Sequence, residues 1–206
     1  MRIGRVKQKD VRGIAAAGAV ARLVADALGR DSFDGYDLAS LVGFVERVED
    51  AAAAALATDD HVHVFSGALQ HMAHRLHRPR EEVLAGIAEV ASQTSVRLCY
   101  PCTGYALASV VTASYVALTG SSFEQALIDT VNLGGDADTT GAMVGAICGA
   151  LYGFEAIPPR WHEALMARGI FEDRVEAMVG RPRDWRPMQS LASIERAWTE
   201  ALLVGP

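Results

Sequence analysis

The order of apolar and polar residues along the chain predicts a protein built from helices. Apolar residues recur at spacings of three and four, whereas no segment alternates convincingly at the period of two that a half-buried strand requires. Asp10 and Gly29 are typical of a helix start and stop, and Ser121 with Glu124 predicts a capping box before a later helix. The predicted helices cover residues 11–28, 37–56, 64–76, 79–92, 105–118, 123–132, 141–154, 158–169 and 191–203.

Two of these helices have unusual surfaces. Residues 105–118 are nearly all apolar or small, which predicts a helix that is buried on most sides. In the helix that follows Thr140, Gly141, Gly145, Gly149 and Gly153 recur every four residues and form a ridge almost without side chains. Because each interior glycine costs about 1 kcal/mol relative to alanine, we expect the ridge to admit the close approach of another backbone.

The composition agrees with this fold. The chain has 206 residues, of which 50% are hydrophobic and only 7% aromatic, and alanine and leucine dominate. These residues favour helices over sheets. We therefore predict an all-α, compact multi-helix single domain over residues 1–206.

Charge and cysteine content narrow the possible partners and compartment. The net charge of −6 argues against a nucleic-acid partner. Three cysteines, at positions 99, 102 and 148, are too few and odd in number for a disulfide framework. The N-terminus opens no hydrophobic signal region, and no apolar run reaches the roughly 18–20 residues that span a bilayer. We predict a cytoplasmic protein without a membrane partner.

A short acidic loop carries the candidate chemistry. Asp136 and Asp138 follow a pair of glycines, and Thr139 comes next, at the start of the small-residue helix. Two carboxylates and a hydroxyl within a few ångströms suit Mg²⁺, Mn²⁺ or Ca²⁺. A capped helix start with solvated aspartates is the structural alternative. An EF-hand is excluded, because Ile147 stands at its twelfth position, where a glutamate is required.

This loop belongs to a longer stretch that resembles the C-terminal signature of the ADP-ribosylglycohydrolase family. The stretch runs from Asn132 to Ala142 and continues with Gly145, Gly149, Tyr152 and Gly153. Residues 155–161 and 104–118 are also similar to the family. Residues 5–28 show a weaker similarity to it.

The resemblance implies an all-helical fold, a site for two Mg²⁺ ions, which Mn²⁺ would also suit, and hydrolysis of a glycosidic bond. That bond would join ADP-ribose to a protein side chain or a small molecule. Asp136, Asp138 and Thr139 match family positions that ligate metal. The residues assign no catalytic acid or base.

The chain also departs from the family pattern. Members carry a Thr-Asp-Asp-Thr motif near the N-terminus, upstream of a Thr-His-x-Asp-Pro-Arg-like segment. Here residues 7–12 align with that segment, Gln8 takes the histidine position, and the chain begins too late for the motif. Thr58-Asp59-Asp60-His61 resembles the motif in letters but comes later, and we interpret it as a polar loop. Asp59 and Asp60 would replace the missing ligands only if the fold brings them to Asp136.

Several hypotheses therefore stay open. The chain is an active, divergent hydrolase, or supplies half a site that another chain completes, for example in a homo-oligomer. Alternatively it binds ADP-ribose or a nucleotide without cleaving it, or is an interaction protein on the same scaffold. Two further motifs are interpreted structurally. Cys99 and Cys102 lie outside any thiol–disulfide context, and His71, His74 and His77 share an arginine-rich stretch that predicts a solvated basic face.

Overall fold

The computed structural model describes residues 10–29, 37–57, 63–92, 102–165 and 168–178, together with Arg196 and Glu200. All regular elements within these residues are helical, which confirms the predicted all-α class. The chain divides into two units, residues 1–158 and 159–206, which are described separately. A single domain over the whole chain stays a prediction.

The first unit contains seven α-helices in the described residues, and their bounds follow the local signals closely. Asp10 caps the first helix by accepting a hydrogen bond from the N–H of Arg12, and Gly29 ends it. Asp37 caps the second through the N–H of Ser40. The helices are α1 Val11–Leu28, α2 Leu38–Leu56, α3 Val64–Ala73, α4 Arg80–Ser92, α5 Ala106–Thr119, α6 Phe123–Asn132 and α7 Ala137–Tyr152, with a 3₁₀ helix at Phe154–Ala156.

Some helix ends and caps differ from the prediction, among them the start of α7, which lies at Ala137 rather than at residue 141. α3 stops at Ala73, three residues early, because the N–H of Arg75 bonds to the carbonyl of Met72 in a tighter turn. The cap of α6 is Ser122 rather than Ser121, so the predicted capping box with Glu124 was wrong by one residue. Ser122 has the extended backbone that a cap needs, and its Oγ accepts from the N–H of Gln125 at 3.1 Å.

The second unit has two described helices, α8 at Pro159–His162 and α9 at Arg168–Met178. The single helix predicted over residues 158–169 was therefore wrong. A turn in which the Leu165 N–H bonds to the His162 carbonyl closes α8, and Gly169 lies in the first turn of α9. Of the helix predicted at 191–203 only Arg196 and Glu200 are described, both as helical, and the segment from Thr58 to His61 lies outside the described residues.

The core of the first unit is centred on α5. All residues from Leu107 to Ala117 are buried, as predicted, and α5 packs against α1, α3, α4, α6 and α7. Its buried hydroxyls do not lack partners: Ser114 Oγ donates to the Val110 carbonyl at 2.7 Å. α2 packs on α1 and α3. Because α1, α5 and α7 contact one another, their positions are set by the same core.

The glycine ridge of α7 is used differently from the prediction. A Cβ added at Gly141 or Gly145 would lie 3.9 Å from Leu127 Cδ1, and one at Gly149 would lie 3.9 Å from Phe123 Cε2. The ridge therefore receives side chains of α6, not a backbone. Gly153 lies beyond the helix at φ +78, where its N–H bonds to the Gly149 carbonyl and ends α7.

None of the helices in the described ranges is long and apolar enough to cross a membrane.

Candidate metal centre

The predicted acidic residues lie at the N-terminal end of α7. Gly134 and Gly135 both have positive φ, +70 and +67, so the loop needs residues that adopt the left-handed region readily. The chain then turns into the helix with Asp136 as its N-cap residue. Asp136 is half-buried, whereas Asp138 and Thr139 are exposed. The loop therefore presents its polar groups at the surface while Asp136 is anchored against the core.

Asp136 does not act as an ordinary cap. Its carboxylate makes no hydrogen bond to the backbone of α7, unlike the carboxylates of Asp10 and Asp37 at the starts of α1 and α2. Instead it faces the carboxyl group of Asp138. This interaction, together with the N–H groups of Thr139 and Asp138, lowers the pKa of Asp138 below its usual value. Asp136 therefore does not cap α7, whereas the exposed Asp138 agrees with the structural alternative of a solvated aspartate at a helix start.

The segment Cys102–Tyr105 lies directly behind the acidic loop. The N–H of Asp136 donates to the Cys102 carbonyl at 3.1 Å, and a Cβ added at Gly104 would lie 3.8 Å from Asp136 Oδ2. Thr103 and Ser109 hold this segment to α5: the Thr103 N–H donates to Ser109 Oγ at 3.2 Å, and Ser109 Oγ donates to the Thr103 carbonyl. The Asp136 main chain is therefore connected to the central helix.

Two residues that the sequence did not assign to the site also belong to this assembly: Arg12 of α1 and Tyr105, the N-cap residue of α5. Arg12 donates to Tyr105 Oη at 3.1 Å, and its guanidinium lies 5.5 Å from the centre of the Tyr105 ring. These residues are 93 positions apart, so no local pattern indicates that they meet. The sequence indicates Asp10 as a helix cap, Arg12 only as part of the family-like residues 7–12, and Tyr105 as a helix start within the family-like residues 104–118.

Two buried groups lie beneath the loop. Thr140 Oγ1 is buried and finds no hydrogen-bond partner of good geometry in the described part of the chain; the weakly polar thiol of Cys102 lies beside it. Burial raises the pKa of Cys102, and it raises that of Cys148 to about 11. Both thiols are free and buried. A buried, protonated thiol is a poor nucleophile, so these cysteines are packing residues.

The histidine stretch is not a site. His74 and His77 are exposed, as the predicted basic face requires. His71 differs, because it is half-buried, its Nδ1 lies 2.9 Å from Arg75 Nη1, and a Cβ at Gly86 would lie 2.6 Å from its Nε2. Burial and the Arg75 charge lower the pKa of His71. His71 is therefore a packed residue, contrary to the prediction of a solvated face.

Asp136 and Asp138 are a pair of acidic residues rather than a larger cluster. Among the described residues, no group of three or more His, Cys, Asp or Glu side chains is arranged to hold a metal ion. Asp59 and Asp60 lie outside the described ranges, so their proposed substitution for the family's second motif stays a prediction. Hydroxyl groups, water or substrate oxygens would have to supply further ligands, together with any acidic residue beyond these ranges.

The chain belongs to the ADP-ribosylglycohydrolase family, whose model matches residues 1–188. It is 42% identical over 59 residues to ADP-ribosyl-[dinitrogen reductase] glycohydrolase of Rhodospirillum rubrum, covering 29% of this chain and 20% of that protein. It is 29% identical over 148 residues to ADP-ribosylhydrolase ARH3 of Bos taurus, covering 67% and 39%.

A third relative is the ADP-ribosylarginine hydrolase Tri1 of Pseudomonas putida, 33% identical over 87 residues, with 42% of this chain and 22% of that protein covered. All three relatives are named as hydrolases or glycohydrolases of ADP-ribosyl groups. The chain matches less than half the length of each of these three relatives.

Proposed function

We propose that this chain forms the metal-binding part of a hydrolase that cleaves the glycosidic bond between ADP-ribose and a protein side chain or small molecule. The observation that carries the proposal is the pairing of Asp136, an N-cap residue without a capping bond, with the exposed Asp138 in the first turn of the same helix. Two neighbouring carboxylates repel each other unless they share a proton or a cation. Asp136 forgoes the capping bond that its position offers, which leaves its oxygens available to a ligand.

The donor set fits a hard divalent cation. Asp136, Asp138 and Thr139 offer only oxygen atoms, which Mg²⁺ and Mn²⁺ prefer. Asp138 and Thr139 are exposed, so an ion reaches them without opening the core. Bound there, Mg²⁺ would supply the Lewis acidity that orients ribose hydroxyl groups and makes an attacking water more acidic.

The residues of the chain itself perform two tasks in this proposal. The carboxylates would hold the cation, and their negative charge would offset part of the positive charge that develops on the ribose ring as the glycosidic bond breaks. The N-terminal end of α7 carries the positive end of the helix dipole at the same loop, where a substrate phosphate would be favoured. No described residue is assigned as the general acid or base.

A binder that does not hydrolyse is the second candidate. Its support is that the described residues place two acidic side chains, not three, at the site. Mg²⁺ favours six near-octahedral oxygens, so a site of this composition needs ligands from elsewhere before it holds the ion tightly. ADP-ribose binding measured by calorimetry that persists in Asp136→Asn, with no turnover in the wild type, would favour this candidate.

The experiment for the first candidate is Mn²⁺ binding measured by electron paramagnetic resonance and by calorimetry. We expect one or more Mn²⁺ ions to bind and Asp136→Asn and Asp138→Asn to weaken binding more than about tenfold, since even residues that only support a ligand typically contribute 10–100-fold. Asp37→Asn is the matched control, because it makes the same change at the N-cap of α2 and asparagine still caps.

Activity is then measured as ADP-ribose released from an ADP-ribosylated protein. We expect release with Mg²⁺ or Mn²⁺ and its loss on chelation or in Asp136→Asn. Wild-type protein that binds no Mn²⁺ at millimolar concentration, or Asp136→Asn that binds it as the wild type does, would overturn the metal assignment.

A further inference from the structure

The position of Asp136 depends on contacts that reach across the first unit. Within its own helix, the N–H of an N-cap residue has no acceptor, because the first N–H groups of a helix lack intrahelical partners. The Asp136 N–H instead donates to the Cys102 carbonyl at 3.1 Å. Residues Cys102–Tyr105, here called the bridging segment, therefore hold the first residue of the acidic loop from behind.

The bridging segment is held in turn at its other end. Tyr105 is the N-cap residue of α5, and its N–H donates to Thr103 Oγ1 at 3.1 Å. Its ring and hydroxyl both meet the Arg12 guanidinium, at 5.5 Å from the ring centre and 3.1 Å from Oη. One side chain of α1 thus contacts the bridging segment in two ways, through a hydrogen bond and through the face of the ring.

Arg12 is itself held in place. Its Nε lies 2.8 Å from Asp10 Oδ1 and its Nη2 lies 2.5 Å from Asp10 Oδ2, a two-point pairing that leaves Nη1 for Tyr105. The Asp10 carboxylate also accepts from the Arg12 N–H at 2.8 Å, which ties it to the first turn of α1. Only 24% of the Arg12 side chain is exposed. The guanidinium therefore has one well-defined orientation.

We propose that Arg12 and Tyr105 are positioning residues for the Asp136 carboxylate, acting through the bridging segment. Arg12, held by Asp10, orients Tyr105; Tyr105 sets the path of residues 102–104; and these set the distance from Gly104 and Cys102 to Asp136. The purpose that we assign to this arrangement rests on the proposed function. The coupling between the two ends of the bridging segment does not, and it is tested separately.

The first test is native-state hydrogen exchange at the Asp136 N–H, followed by NMR without metal. Tyr105→Phe removes the hydroxyl and keeps the ring; Arg12→Gln removes the charge and the two-point pairing. We expect exchange to accelerate about fivefold in Tyr105→Phe, the size of one net hydrogen bond, and about tenfold or more in Arg12→Gln. Mn²⁺ affinity should fall by similar factors.

The chain offers a matched control for each variant. Tyr152→Phe also removes a tyrosine hydroxyl. This hydroxyl lies at the other end of α7 and donates to the Gly120 carbonyl at 3.0 Å. Arg22→Gln also removes an arginine of α1 that pairs with an aspartate, Asp26, and lies 5.5 Å from the centre of an aromatic ring, that of Phe44. We expect both controls to leave Asp136 exchange and Mn²⁺ affinity as in the wild type.

The outcomes separate the two proposals. Exchange at Asp136 that stays at the wild-type rate in both Tyr105→Phe and Arg12→Gln overturns the positioning role, and so does equal acceleration in the controls, which would report a general loss of stability. Wild-type protein that binds no Mn²⁺ removes the metal proposal, while the exchange measurement still decides whether Arg12 and Tyr105 position Asp136.

Discussion

The N-terminal ends of α3 and α7 use carboxylates in opposite ways. Neither helix has a capping bond from its own N-cap side chain, which is His63 for α3 and Asp136 for α7. At α3 the fully buried Glu49 of α2 supplies the cap by accepting from the Phe65 N–H at 3.0 Å. At α7 the Asp136 carboxylate makes no capping bond, and Asp138 in the first turn meets only its own N–H and that of Thr139. The Glu49 carboxylate therefore stabilises the fold, whereas we propose that Asp136 and Asp138 bind a ligand.

The comparison shows why burial and bonding say more about a carboxylate than its place in the sequence. A buried acceptor that satisfies a backbone N–H is a structural group, since its loss leaves the donor unpaired. An acidic residue at an N-cap that turns away from its helix does not stabilise that helix, and another reason for its presence is needed. For Asp136 that reason is the proposed cation.

The largest expected effect separates these two roles by stability. Glu49→Ala removes the cap of α3 and leaves the Phe65 N–H without an acceptor in the core, so the free energy of unfolding should fall by about 2–3 kcal/mol. Asp136→Ala removes no capping bond and should change it by less than about 0.5 kcal/mol. Urea denaturation followed by circular dichroism measures both; equal losses in the two variants would abolish the comparison.

The second prediction concerns pH and the same glutamate. Burial raises the pKa of Glu49 above its ordinary 4.5, against hydrogen bonds from Ser66 and Phe65. His63 Nδ1 lies 3.8 Å from Glu49 Oε2, and Asp50 lies 3.4 Å from His63 Nε2. A raised pKa means that the folded state holds the proton more tightly than the unfolded state. The stability contributed by Glu49 is then complete below pH 4.5 and is lost as pH rises through the raised value.

Glu49→Gln tests this sign because it keeps an acceptor for the Phe65 N–H and cannot titrate. The free energy of unfolding, measured by urea titration from pH 4 to pH 7, should fall less with rising pH in Glu49→Gln than in the wild type. Parallel curves would show that Glu49 has its ordinary pKa in the folded protein.

The smallest expected effect tests whether the stability of α7 can change without a change in metal binding at its acidic end. A Cβ at Gly145 would make an ordinary van der Waals contact, 3.9 Å from Leu127 Cδ1. Gly145→Ala should therefore raise the free energy of unfolding by about 0.5–1 kcal/mol through helix propensity, with Mn²⁺ affinity unchanged. Gly120→Ala should do the reverse, since its Cβ would lie 2.9 Å from that of Ala126. Destabilisation by Gly145→Ala would restore the idea of a tight backbone approach.

Local signals explain why most helix bounds were predictable. An aspartate before an apolar run and a glycine after it decide φ, ψ and hydrogen bonding within a few residues, and α1 begins and ends where Asp10 and Gly29 indicate. The error at Ser121 and Ser122 has the same origin, because two adjacent serines offer the same chemistry and only the backbone at Ser122 decides between them. The acidic loop was found for a similar reason, as its residues are neighbours in sequence.

The sequence by itself determined the helical class, the placement of most helices, the family and the clustering of Asp136, Asp138 and Thr139. Only the tertiary structure decided what surrounds them: that Leu127 and Phe123 fill the glycine ridge, that Glu49 caps a helix other than its own, and that Arg12 meets Tyr105. The physical reason is the separation along the chain over which each kind of interaction acts. Capping and periodicity act over about one helical turn, whereas contacts between distant residues depend on how the whole core packs.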